Sequence, residues 1–138
     1  MARALELVGE RWSLLILRDA LFRGMSRFSE FERSLGVAPN VLAKRLEAFV
    51  ASGLLTKDAD SNAAEHYRLT AKGLSFKPVV VALTAWGDQW AAPQGPPVRF
   101  EHEGCGGPVV SRLCCAKCGD SVALRRLVAI PNRDRNQS

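Results

Sequence analysis

Between His102 and Gly119 the chain reads HEGCGGPVVSRLCCAKCG, a stretch that holds all four cysteines of 138 residues and one of the two histidines. Thiolates and imidazoles are the donors that a borderline-soft ion such as zinc prefers. A zinc ribbon grips one ion between two knuckles. Each knuckle supplies two ligands with two residues between them, and a Gly follows because the turn after the second ligand needs a permissive backbone. Both halves are written here, as His102-Glu-Gly-Cys105-Gly and Cys115-Ala-Lys-Cys118-Gly, separated by the nine-residue excursion GGPVVSRLC, which can form strands. The expected ligands are His102, Cys105, Cys115 and Cys118. Cys114 would lengthen the second spacing by one residue, so it reads as a neighbouring free thiol. Four protein ligands leave no position open for water, and the zinc expected here is structural rather than hydrolytic.

The surroundings make such an ion useful. Residues 91–97 (AAPQGPP) read as a stiff linker. The segment 98–130 that follows is too short to build an adequate apolar core. A structural zinc contributes on the order of 10 kcal/mol or more to folding, which would supply what the core cannot. A thiol switch among the same cysteines and inert thiols in a loose tail are the competing readings; thiols are kept reduced inside cells, which is compatible with metal binding and with redox sensing. Residues 131–138, ending NRDRNQS, read as a disordered tail.

Residues 1–90 have a different grammar. From Trp12 to Phe22 (WSLLILRDALF) apolar residues occupy nearly every helical face, so this helix should be central. In SRFSEFERSLG, Ser26 can cap a helix, Phe28, Phe31 and Leu35 recur at helical spacing, and Gly36 can end it in the left-handed conformation. After a three-residue turn, Pro39 suits a first helical position. The segment 39–52 then carries Val41, Leu42, Leu46, Phe49 and Val50 on one face and Asn40, Ala43, Lys44 and Glu47 on the other. Two helices joined by a tight Gly-containing turn, the second polar on its exposed N-terminal half, make a helix-turn-helix. Leu54 to Lys57 and His66 to Leu69 read as short strands around the polar loop Asp58 to Glu65. A helix-turn-helix followed by a hairpin is a winged helix. Thr70 can cap a last helix running to about Trp90, which Pro78 and Gly87 should bend or weaken. Its stripes Val79, Leu83, Trp86, Trp90 and Leu74, Val81, Ala85 cannot both be covered by one small domain, which predicts a homodimer.

If the helix beginning at Pro39 enters a major groove, Asn40 can pair with an adenine edge, while Lys44 and Arg45 reach guanine or phosphate. Arg45 also borders the apolar face, where its stem would lie over Phe49. Arg27 is a candidate phosphate contact at the preceding helix start. Lys57, His66 and Arg68 can face the phosphate backbone from the hairpin strands, whereas Asp58, Asp60 and Glu65 at the tip would repel it. His66 reads as a surface residue. The formal charge of +5 and pI of about 9.4 favour an anionic partner such as double-stranded DNA.

The segments ALELVGERWSLLILRDALF, RFSEFERSLGVAPNVLAKRLEAFVASGLL, YRLTAKG and PVVVALTAWGDQW resemble, in order, the signatures of the HxlR-type winged-helix transcriptional regulators, a group similar in architecture to the MarR regulators. The resemblance runs from about Ala4 to Trp90. It implies a dimeric, sequence-specific DNA-binding protein whose terminal helices build the dimer interface. Three features depart from the family pattern. The cysteine-proline pair common just before the segment that begins here at Met1 is not part of this chain, the wing loop is acidic, and Ala71 stands where the family's LTEKG motif has an acid.

The expected fold is therefore mainly α with a β-hairpin wing, plus a small β-rich, zinc-ribbon-like appendage, and the expected function is transcriptional regulation through DNA binding. A redox-responsive zinc or thiol sensor and a protein-interaction module of the transcription machinery are the alternatives, with room for a small-molecule or redox effector. The longest apolar run, Pro78 to Trp86, is well short of the roughly 20 residues that cross a bilayer, which predicts a cytoplasmic protein. No phosphate-cradling Gly loop or nucleophile motif argues for an enzyme.

Overall fold

The structure is a computed structural model that describes residues 1–131; the segment 132–138, which holds most of the expected tail, lies outside the described residues. The chain divides into two compact units at Pro97 and Val98.

The first unit opens with two helices, α1 (Ala2–Val8) and α2 (Arg11–Phe22). Helix α1 has little periodic signal of its own, because only Val8 is buried. In α2, Ile16, Leu17, Ala20 and Leu21 are all buried, so the helix is central, as its nearly continuous apolar sequence predicts. Helix α3 (Phe28–Leu35) starts one residue later than the expected Ser26 cap allows. Arg27 occupies the capping position, and the Glu30 carboxylate accepts the amide protons of Ser26 at 2.8 Å and Arg27 at 2.9 Å. A carboxylate reaching back from the first turn satisfies two orphan donors at once, which outcompetes a single hydroxyl. Gly36, at φ +60°, ends the helix in the left-handed conformation that a Cβ would disfavour.

Helix α4 (Pro39–Ala51) carries Pro39 at its start and buries Leu42, Leu46 and Phe49. Strands β1 (Leu55–Ala59) and β2 (Glu65–Leu69) pair antiparallel, Leu55 opposite Leu69 and Ala59 opposite Glu65. The hairpin is longer than expected and its loop correspondingly shorter, because Asp58 and His66 pair within the ladder. The Tyr67 amide donates to the Ser26 carbonyl at 2.7 Å, tying the wing to the entrance of α3. The centre of the core gathers from α2, α3, α4 and β1: Ile16, Leu17, Phe31, Leu42, Leu46, Phe49 and Leu55 are essentially sealed from water. Each such side chain contributes about 1.5–3 kcal/mol.

The single long helix expected from Thr70 to Trp90 is instead two, α5 (Ala71–Leu74) and α6 (Lys77–Ala91). Thr70 caps the first by accepting the Gly73 amide at 3.1 Å. The break falls where Pro78 has no amide to donate to the preceding turn, and Pro78 instead serves in the first turn of α6. Val80 is the buried residue of α6, whereas Val79, Leu83, Trp86 and Trp90 are exposed.

The second unit is built differently. Isolated bridges join Glu101 to Pro108 and Cys114 to Ser121, and a single 3-10 turn spans Leu124–Arg126. The expected strands do not form among the described residues: each bridge closes a tight turn, and Pro108 has no amide with which to extend a ladder.

Candidate nucleic-acid interface and cysteine cluster

The polar face of α4 lies open. Asn40 and Lys44 are exposed on its first two turns, and neither side chain makes a hydrogen bond or ion pair among the described residues. The opposite face is anchored by Leu42, Leu46 and Phe49, which fixes the direction of the polar one. Lys44 therefore carries an uncompensated charge into solvent from a rigid helix.

Arg45, the next residue, is placed otherwise. It is half-buried and forms an ion pair with Glu10, the residue that precedes α2. Its guanidinium thus ties α4 to the junction of α1 and α2.

A second polar network links the helix-turn-helix to the wing. The Asp60 carboxylate accepts the amide protons of Asn62 at 2.8 Å and Ala64 at 3.0 Å, and faces His66 Nε2 at 3.2 Å and the Arg27 guanidinium at 3.6 Å. On the other side of the ring, His66 Nδ1 meets the Ser26 hydroxyl at 2.9 Å. His66 is therefore a half-buried bridge between α3 and the wing, not the surface residue expected. Its neighbours within the sequence window carry no sign of Ser26, 40 residues away. The backbone amides of Ala64 and Asn62, followed by His66, hold the Asp60 carboxyl below its ordinary range. Likewise, the amides of Ser26 and Arg27 hold Glu30 below its own.

Elsewhere in the wing, charges are internally matched. Arg68 Nε donates to both Asp58 carboxylate oxygens at 3.1 and 3.0 Å. Lys57 pairs with Glu65 at 3.0 Å and lies 5.7 Å from the Tyr67 ring centroid, and the Glu65 hydrogen bond is the main reason its ammonium titrates above the ordinary lysine value. Since Lys57 stands opposite Tyr67 in the ladder and Arg68 follows it, the two cations point from opposite faces of the hairpin. Both remain exposed, and both are shared with an acid.

Sequence patterning did not single out Asp19. It is fully buried at the end of α2, where Arg18 Nε donates to it at 2.8 Å and the Ser34 hydroxyl of α3 at 2.6 Å. Arg23 joins by donating to the Ser34 hydroxyl oxygen at 2.9 Å. This network sets α3 against α2. A single acid in a mostly apolar helix, between Arg18 and Arg23, was the available signal.

In the second unit, His102 Nδ1 lies 3.3 Å from Cys105 Sγ. Cys115 receives the backbone amides of Cys118 and Lys117 and the Cys118 thiol, which together hold its thiol below the ordinary value. All four cysteines are free. Among the described residues the donors stand as these pairs, and no group of three or more His, Cys, Asp and Glu side chains converges.

A helix-turn-helix with an antiparallel wing and an open polar face on its second helix defines a winged-helix protein of the nucleic-acid-binding class. A family model described as HxlR-like helix-turn-helix matches residues 7–95. The chain is 41% identical over 134 residues to the uncharacterized HTH-type transcriptional regulator Rv3095 of Mycobacterium tuberculosis, covering 95% of this chain and 84% of that one. The solved structure of PA1607, described as a candidate transcription factor, superposes with a TM-score of 0.84 at 37% identity, over 94% of this chain and 92% of its own. PA1374 of Pseudomonas aeruginosa, also described as a candidate transcription factor, matches with a TM-score of 0.66 at 40% identity, over 96% and 92%. The chain belongs to the HxlR-like helix-turn-helix family, and the protein is a transcriptional regulator of helix-turn-helix type. These three relatives match well beyond residue 95, so the cysteine-bearing unit falls within the likeness.

Proposed function

We propose that the protein regulates transcription as a homodimer that places α4 of each subunit in the major groove of a roughly palindromic operator. The observation that carries this reading is the exposure of Asn40 and Lys44, whose side chains have no partner among the described residues, on a helix whose other face is sealed. Asn40 reads a base edge, Lys44 a guanine or a phosphate, and Arg27 a phosphate at the start of α3. Arg45 acts through Glu10, as a positioning residue for α4. Lys57 and Arg68 approach the duplex from the wing only by exchanging Glu65 and Asp58 for phosphate.

The homodimer is supported by a wide apolar surface: Leu5 of α1 and Val79, Leu83, Trp86 and Trp90 of α6 are about half exposed or more, an arrangement that a lone soluble domain rarely leaves to water. Two subunits related by a twofold axis would set half-sites about one helical turn apart, roughly 34–36 Å. The exposed polar set lies on a convex helix face, which suits binding rather than catalysis. No helix among the described residues is long and apolar enough to cross a membrane, and a reader of the chromosome works in the cytoplasm.

The test is a fluorescence-anisotropy titration against duplexes from the region upstream of the protein's own coding sequence, with Asn40→Ala as the probe. Loss of a base contact should lower specific affinity by about 1–3 kcal/mol while leaving binding to random DNA nearly unchanged. Equal affinity of wild type and Asn40→Ala for every duplex would overturn the placement of α4.

A further inference from the structure

Residues 98–131 contain no buried side chain, and among the described residues the buried apolar core runs from Val8 to Val80. Val98, Val109, Val110, Leu113, Leu124 and Ile130 are all largely exposed. Hydrophobic burial therefore cannot hold this unit together. Its backbone is nevertheless ordered in a specific way, because one hydrogen-bonding pattern occurs twice.

In the first turn, the His102 amide donates to the Gly107 carbonyl at 2.9 Å, Gly106 donates to His102 at 2.8 Å, and Val109 donates to Phe100 at 2.8 Å. In the second, Cys115 donates to Asp120 at 2.9 Å, Gly119 to Cys115 at 2.8 Å, and Val122 to Leu113 at 2.8 Å. Every donor and acceptor is displaced by the same 13 positions, from 102 to 115 and from 109 to 122. The bridges follow the same rule: Glu101 pairs with Pro108 as Cys114 pairs with Ser121. Gly106 and Gly119, each directly after a cysteine, share left-handed φ values of +68° and +76°.

We propose that these two turns are the knuckles of a ribbon that holds one structural zinc ion through His102, Cys105, Cys115 and Cys118, with Cys114 excluded from the metal. The 13-residue correspondence maps His102 onto Cys115 and Cys105 onto Cys118, so each turn offers its donors at equivalent places. It maps Cys114 onto Glu101, a bridge position outside the turn, which decides between the adjacent cysteines on geometry rather than spacing. The His102 Nδ1 to Cys105 Sγ distance of 3.3 Å is close to what a shared ion requires. Two ligands at zinc bond lengths of about 2.0–2.1 and 2.3 Å and a tetrahedral angle lie about 3.6 Å apart. One glycine keeps room beside these donors: a Cβ on Gly107 would stand 3.3 Å from Cys105 Sγ, tighter than most real contacts, whereas one on Gly104 would meet the His102 ring at an ordinary 3.4 Å. Three thiolates and an imidazole suit zinc, and as each thiol binds it releases its proton to water while the sulfur lone pair forms the bond to the ion. The ion joins two pairs that the chain alone leaves separate and so substitutes for the missing core.

This inference stands independently of DNA recognition and is tested on the full chain. Elemental analysis of protein purified without chelator should find one zinc per chain. Cys115→Ser and Cys118→Ser should lose it, whereas Cys114→Ser should retain it and His102→Cys should preserve a four-ligand site. Cobalt replacement supplies a readout that does not depend on the damaging variants: wild type and Cys114→Ser should show the same intense tetrahedral absorption with thiolate charge transfer. A wild-type chain that carries no zinc and takes up no cobalt overturns the proposal. So does a Cys114→Ser chain that loses the ion while Cys115→Ser keeps it.

Discussion

Lys44 and Arg45 are adjacent cations on one helix, and the packing around them gives each a different electrostatic task. Lys44 extends into water with no counter-charge among the described residues, so a phosphate can take that place without displacing any of them. Arg45 already has Glu10, and its stem is partly covered. Replacing Lys44 with alanine should weaken binding to all duplexes and reduce the slope of log K against log salt by about one. Arg45→Ala should instead lower folding stability by roughly 1 kcal/mol, through lost packing more than lost charge. Urea denaturation of both variants separates these effects, and a larger stability loss for Lys44→Ala would contradict the assignment. Glu30 yields a pH prediction. Its carboxyl is held below the ordinary range by the amides of Ser26 and Arg27, so the stabilisation it provides is complete above the unfolded-state value. That stabilisation disappears as pH falls through the lower folded-state value. Thermal unfolding followed from pH 7 to about 3 should therefore show an acid loss beginning near pH 4, the ordinary carboxylate range, and Glu30→Gln should flatten it. An unchanged acid profile in Glu30→Gln would count against this cap.

At the scale of elements, the short helix α5 shows how a close backbone contact fixes an element in place. Gly73 is buried, and a Cβ there would lie 2.3 Å from the Leu54 carbonyl oxygen, so α5 sits directly on the chain entering the wing. The Thr70 amide strengthens this seam by donating to the same carbonyl at 3.2 Å. Gly73→Ala must move backbone against backbone and should cost more than 1 kcal/mol, within the 1–3 kcal/mol typical of overpacking. A Gly87→Ala control, where a Cβ meets open space, should be neutral or stabilising, since alanine is the better helix former. Equal chemical denaturation midpoints for the two variants would remove the argument. The wing is fastened in the same manner, by the Tyr67 amide to Ser26 and by His66 between Ser26 and Asp60.

For the whole molecule, the exposed α6 stripe is the surface on which the proposed homodimer rests. Charge introduced at Leu83, as Leu83→Asp, should place a carboxylate in the proposed interface and shift the protein to monomer in analytical ultracentrifugation, with the helical circular dichroism retained. Operator affinity should fall at least 100-fold, because two half-sites no longer bind as one unit. A dimer that persists in Leu83→Asp, or a monomer with undiminished operator affinity, would sink this arrangement.

The local rules of the chain were enough to determine the helices α2, α3 and α4, the glycine at the end of α3, the hairpin and the outward direction of Asn40 and Lys44. Each follows from residues within about four positions, where side-chain periodicity and backbone allowance act directly. Tertiary structure alone decided that Arg45 turns to Glu10, that Asp19 is buried against Ser34, that His66 joins Ser26, and that the stripe ending at Trp90 stays open. These outcomes depend on which distant segments meet. A charge or hydroxyl can satisfy itself with any partner that packing delivers, and sequence spacing does not specify that partner.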